Sequence, residues 1–233
     1  MSNASTKQWR VPSGLIVLTL VPAAAGAARL QQLATGRAIT PENARFVAEP
    51  LPVVAHIISA TVFCLFGAFQ FVPKLRNAGR KWHRITGRLV APFGLLAALS
   101  GLWMSIFYKH PAMDHPSLVP IRLVVGAAMV ISLVLGISTA RRRSFGSHRA
   151  WMIRSYAIGI GAGTQVLTSL PWVVLYGTSA TGVARTVLLA AGWVINLAVA
   201  EWFIRWPSPA AHGVQHNDRR GQQTNHLAAR SSE

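Results

Sequence analysis

Five stretches of this chain, residues 51–72, 88–108, 118–140, 150–176 and 184–204, are almost wholly apolar. A helix rising 1.5 Å per residue needs about 20 such residues to cross roughly 30 Å of hydrocarbon. Each stretch has about that length. A sixth apolar block runs from Pro12 to about Ala28. In hydrocarbon a segment must satisfy its own backbone N–H and C=O groups, so spans of this length are helices. The expectation is an all-α polytopic membrane helix bundle with six transmembrane helices. Composition agrees: only 12% of residues are charged, against about a quarter in soluble domains.

The first block also has a second reading. Lys7 and Arg10, then "GLIVLTLV", then "PAAAGAA", fit a secretory signal with its basic, apolar and small-residue parts. A retained helix is favoured, because apolar character persists past the alanines. Five helices remain if the segment is cleaved. The organisation expected is a cytoplasmic tail over 1–11, the bundle over 12–206 and a tail over 207–233. That last segment is polar, basic and patternless, so disorder is expected, with His212, His216 and His226 solvated.

The formal charge of +17 is informative through its placement. With six spans and a cytoplasmic N-terminus, one side receives only Arg29, Arg37, Arg45, Lys109, Arg122 and Arg185 of the 23 basic residues. The rest fall on the other side, as the positive-inside rule describes. Both termini are therefore expected in the cytoplasm, with the protein in a bacterial inner membrane. The expected partners are the lipid bilayer and anionic lipid headgroups. Nucleic acid is not expected, because the basic clusters lie in separate loops.

Familiar catalytic patterns are missing. The single cysteine, Cys64, excludes an intramolecular disulfide and reads as a small core residue. There is no glycine-rich phosphate loop, no Ser/His/Asp order and no carboxylate pair. Glu201 is expected to pair with Arg205 one turn on. Trp103, Trp172, Trp193, Trp202 and Trp206 read as interface anchors. Pro171 is expected to kink or end the fifth helix.

The histidines offer more. At 100° per residue His56 shares a face with Ala60, Phe63, Gly67 and Gln70. His83 shares one with Gly87, Val90, Gly94 and Gly101 if its helix already begins there. His148 aligns with Met152, Ser155 and Gly159. Small residues let membrane helices approach closely, so these faces should meet protein. Ser155, Gly159 and Gly163, spaced by four, should form a close helix contact. His83 and His148 both stand at cytoplasmic helix starts and should reach one another or one shared ligand. Arg84, Arg88, Arg149 and Arg154 around them would make a basic pocket for a propionate, a phosphate or a lipid headgroup. His56, with Gln70, lies deeper. His110 and His115 read as turn residues.

The run His56, "GAFQF" at 67–71, "LR" at 75–76, "HRITGR" at 83–88 and "SHRAWMIRSYA" at 147–157 resembles predicted bacterial membrane proteins grouped as domain of unknown function family 2306. The resemblance covers roughly residues 50–175 and implies a membrane fold without an established activity. Family members tend to carry an arginine shortly after the RSYA element. Here "IGIGAGTQVLTSLP" follows, with Thr164 and Gln165, which puts any role of that arginine in doubt.

Three readings stand beside each other. The favoured one is a small accessory or assembly membrane protein with a basic, histidine-containing pocket on the cytoplasmic side. The second is a b-type haem or other redox protein using His83 and His148 as axial ligands. There His56 could pair with His110 or His115, similar to the cytochrome b561 group. The third is a transporter of a small solute or lipid, with the glycine-rich fifth helix and the Gln70–His56 stripe along its path. No internal repeat supports that third reading.

Overall fold

The structure, a computed structural model, describes residues 3–36, 38–72 and 80–206. The expected disordered tail, its three histidines, Arg37, and the "LR" at 75–76 lie outside the described residues. Eight helices occur among those described: α1 (Asn3–Ala34), α2 (Ala44–Ala48), α3 (Pro50–Phe69), α4 (Arg80–Phe107), α5 (Leu118–Arg141), α6 (Phe145–Gly159), α7 (Gly161–Tyr176) and α8 (Gly182–Arg205). Five are long and apolar enough to cross a membrane. The pair α6 and α7, bent by 46° between its halves, makes a sixth when taken as one span.

Successive spans run up and down, so side-chain contacts sort to two ends. At the Lys/Arg-rich end Gln70 meets Thr86, His83 meets His148 and Arg154 meets Glu201. At the opposite end Arg45 donates to the Lys109 carbonyl, and Asp114 holds both Arg122 and Arg185. Helix α3 packs on α4, α5 on α6, and α7 on α8, while α1 lies against α3 and α7.

The core is built from aromatic rings set into glycines. Phe63, 1% exposed, lies between Gly94 of α4 and Gly159 of α6. A Cβ at either glycine would stand 2.6 Å from its ring. Helix α3 therefore touches both neighbours at close range, as small residues permit in membranes.

The fifth span breaks at a place other than Pro171. Helix α6 stops at Gly159 and α7 starts at Gly161, with Ile160 between. Pro171 lies inside α7, which continues to Tyr176 and ends at Gly177 with φ of +68°. Glycine is a poor helix former, and the two glycines here are also needed as notches. Gly159 receives Phe63, and Gly161 receives the Trp193 indole. Trp193 is thus a packing residue within the bundle, not the interface anchor expected. The carbonyl of Ala157, freed by the break, accepts the Asn196 amide at 3.0 Å. Asn196 in turn accepts the Thr164 hydroxyl at 2.7 Å. In a membrane such substitutes for lost helix bonds are obligatory.

The stripe Ser155, Gly159, Gly163 is also reapportioned by the bend. All three positions are closely packed, but against different partners. Ser155 is fully buried, Gly159 faces Phe63, and Gly163 abuts the Leu18 backbone of α1.

Candidate functional site

The turn from α5 to α6 sets the position of His148. Helix α5 ends with the Ser144 N–H bonded to the Thr139 carbonyl at 2.9 Å and the Arg143 N–H to Ala140 at 3.1 Å. This is the Schellman arrangement, which needs one left-handed residue. Arg143 takes that role at φ of +59°. The chain reverses within three residues, and α6 starts antiparallel against α5. Its first turn brings His148 Nδ1 to 2.8 Å from the Gly136 carbonyl oxygen, while Met152 fills the notch at the same glycine. A carbonyl only accepts, so Nδ1 carries the proton. In the neutral ring Nε2 then keeps its lone pair.

Helix α4 does begin at Arg80, placing His83 in its first turn. The His83 and His148 ring centres are 6.5 Å apart, with planes at 78°. His83 Nδ1 is buried. One turn along α4, Gly87 has open space where a Cβ would stand, whereas Gly94 on the same stripe is filled by Phe63. Gln70, at the end of α3, donates through Nε2 to the Thr86 hydroxyl, which donates to the Trp82 carbonyl at 2.8 Å. Gln70 Oε1 is buried without a hydrogen-bond donor.

The four arginines of the expected pocket divide. Arg84 and Arg88 are exposed on α4. Arg149 donates to the Phe203 carbonyl at 3.4 Å. Arg154 stacks on Trp151, 4.8 Å from its centroid, and grips Glu201 through Nε at 2.5 Å and a terminal nitrogen at 3.1 Å. Arg149 and Arg154 thus both tie α6 to α8. Glu201 does meet Arg205, at 3.6 Å, but its shorter contact is with Arg154.

His56 belongs to a separate place. From α3, its Nδ1 lies 2.9 Å from the Ala97 carbonyl and 3.3 Å from the Ser100 hydroxyl of α4. The pairing with His110 or His115 does not occur. Both are exposed, His110 bonding to the Ser105 carbonyl and His115 to Ser117. Among the described residues no group of three or more His, Cys, Asp or Glu could hold a metal ion.

Two polar features were not legible as partners. Asp114, with a side chain only 3% exposed, binds Arg122 at 2.9 Å and Arg185 at 2.7 Å, locking the turn 109–117 to α5 and α8. Asn196 and Thr164 close the helix break. A lone acid in a span-connecting turn and an asparagine in an apolar run were the available signals.

The chain belongs to the predicted membrane protein family DUF2306, whose family model matches residues 53–204. No curated protein and no solved structure matches the chain. The match takes in His56, Gln70, His83 and His148 together with Arg84, Arg88, Arg149 and Arg154.

Proposed function

We propose that this multi-pass membrane protein holds a b-type haem or related planar redox cofactor between His83 and His148, at an end of the bundle facing the cytoplasm. The carrying observation is the 6.5 Å separation of the two imidazoles. Two rings on opposite sides of one iron, each nitrogen about 2 Å from it, have centres roughly 6 Å apart. A porphyrin supplies the other four ligands, so two histidines suffice where a bare ion needs three or four. The donor set fits in a second respect. Metal-ligating histidines donate their other nitrogen to a carbonyl or carboxylate, as His148 does to Gly136. The space beside Gly87 lies on the face where the ring would enter. A bound haem would supply one-electron transfer.

The chain's own residues then have distinct tasks. His148 is oriented by Gly136, and His83 by its place in the first turn of α4. Arg84 and Arg88, exposed nearby, suit propionate carboxylates. Arg149 and Arg154 hold α6 against α8, fixing the angle from which His148 projects. The cytoplasmic side, and an inner-membrane location, follow from the excess of Lys and Arg at this end.

A second reading rests on the same Gly136 bond. As a tie between α5 and α6 it is what a purely structural histidine makes, and it favours an accessory or assembly protein without its own chemistry. Transport finds less support, because the glycines of the broken span are filled by Phe63, Trp193 and Leu18. The deciding experiment is an optical spectrum of detergent-purified protein from haem-replete cells. A Soret band with reduction-dependent α and β bands, lost in His83→Ala and His148→Ala, is expected. A colourless, metal-free preparation would overturn the haem reading and leave the accessory one.

A further inference from the structure

The end opposite the histidine pair gathers arginines around a single buried acid. Asp114 forms ion pairs with Arg122 and Arg185. Arg29 and Arg45 stand in the same electrostatic neighbourhood, and among the described residues neither forms an ion pair with a carboxylate. Arg29 donates to the Gln32 side-chain oxygen at 2.7 Å, and Arg45 to the Lys109 carbonyl at 3.0 Å. Both guanidinium groups also lie over the one Phe46 ring, 4.7 and 4.5 Å from its centre. The ring is itself fixed edge-on against Tyr108. Holding two cations on one ring costs electrostatic energy. Burial, with the fields of Arg122 and Arg29, pulls Arg45 below the ordinary arginine range, and Asp114 only partly counters this.

Beside Arg29 is an open cleft of about 540 Å³, lined also by Gln32, Thr40, Asn43 and Glu42. Apart from Glu42, these are neutral hydrogen-bonding side chains. Glu42 is exposed at the rim, and its carboxyl is held below the usual range, first by hydrogen bonding with Thr40, so it is the one charge here that opposes an anion. Each guanidinium has five N–H donors in a planar fork, and one from each is accounted for above.

We infer that Arg29, which lines this cleft, and Arg45, which shares the Phe46 ring with it, form a binding site for a phosphate-class oxyanion. Free phosphate and the phosphate of an anionic lipid headgroup share that chemistry. The site stands at the end of the spans, where either would be met. Guanidinium forks match phosphate oxygens in pairs, and preformed partners lower the ordering cost of binding.

The test is the melting midpoint of the full chain in detergent, titrated with inorganic phosphate, then repeated in vesicles of phosphatidylglycerol or phosphatidylcholine. A ligand that binds the folded form raises the midpoint. Arg29→Gln and Arg45→Gln should each weaken the stabilising ligand about tenfold, while Arg45→Lys keeps part of the effect. Glu42→Gln should strengthen it, and Arg141→Gln, at the other end, should leave it unchanged. Stabilisation by phosphate identifies a free-anion site; stabilisation by phosphatidylglycerol alone identifies a headgroup site. Wild-type protein indifferent to both, or Arg141→Gln as damaging as Arg45→Gln, overturns the inference.

Discussion

Tyr156 of α6 donates its hydroxyl to the Cys64 carbonyl of α3 at 2.6 Å, and its ring fills the notch that Gly67 leaves one turn away. Ring and hydroxyl together fix how far α6 stands from α3, and therefore where His148 lies two turns earlier on α6. Tyr156→Phe keeps the ring and loses the bond, so it should cost about 1 kcal/mol. Gly67→Leu forces the ring out and should cost about 1–3 kcal/mol. Denaturation in mild detergent measures both. Equal effects of the two changes would mean that the ring is free to move.

Arg143 carries a left-handed backbone at φ of +59°, which costs an L-residue roughly 1–2 kcal/mol and glycine almost nothing. Arg143→Gly should therefore raise the melting midpoint, opposed by the greater freedom of glycine in the unfolded chain. Arg143→Val should lower it. A destabilised glycine variant would show that the arginine side chain, not the turn, matters there.

Asn196 replaces a helix bond lost at the break, so Asn196→Leu leaves the Ala157 carbonyl and the Thr164 hydroxyl unpaired in the membrane interior. The expected loss is about 1–2 kcal/mol. Thr164→Val removes only one of the two contacts and should cost less. The folded yield of each variant, by size-exclusion chromatography, orders them.

The spans were legible because apolar length is a direct physical demand of hydrocarbon, and because a helix is the answer a single segment can give. The break at Ile160 was not. A glycine spaced by four reads as close packing, and a proline reads as a kink. Here Gly159 and Gly161 do both jobs, while Pro171 is absorbed inside α7. Pairing across distant residues was the other gap. Glu201 faces Arg205 in any helical projection, but Arg154 lies 47 positions away, and only the packing of α6 on α8 brings it there. His83 and His148 were found because each begins a helix on the same side of the membrane, so their depth follows from topology alone.

Topology itself is open to measurement. The expected orientation puts the turn containing Ser144 in the cytoplasm and Ser117 outside, and both positions are exposed. With Cys64 first replaced, a cysteine at Ser117 should react with an impermeant thiol reagent in intact cells. One at Ser144 should react only after permeabilisation. The reverse pattern would place the histidine pair on the outer side.

The last expectation concerns whether His83 and His148 act as one unit. Their rings are 6.5 Å apart on helices that reach the site separately, α4 by its first turn and α6 by the turn through Arg143. If both ligate one group, removing either abolishes axial pairing, and removing the second adds little, since residues sharing one partner are not additive. If instead His148 serves only to tie α5 to α6 through Gly136, its loss destabilises the fold and leaves the haem content of His83→Ala unrelated to its own. Two readouts separate the cases. Haem content per protein should fall equally in His83→Ala, His148→Ala and the double variant. Thermal stability of haem-free protein should fall where the Gly136 bond is lost, by about 1 kcal/mol. Additive loss of haem across the two single changes would mean that the histidines bind at separate places, and the shared site would have to be abandoned.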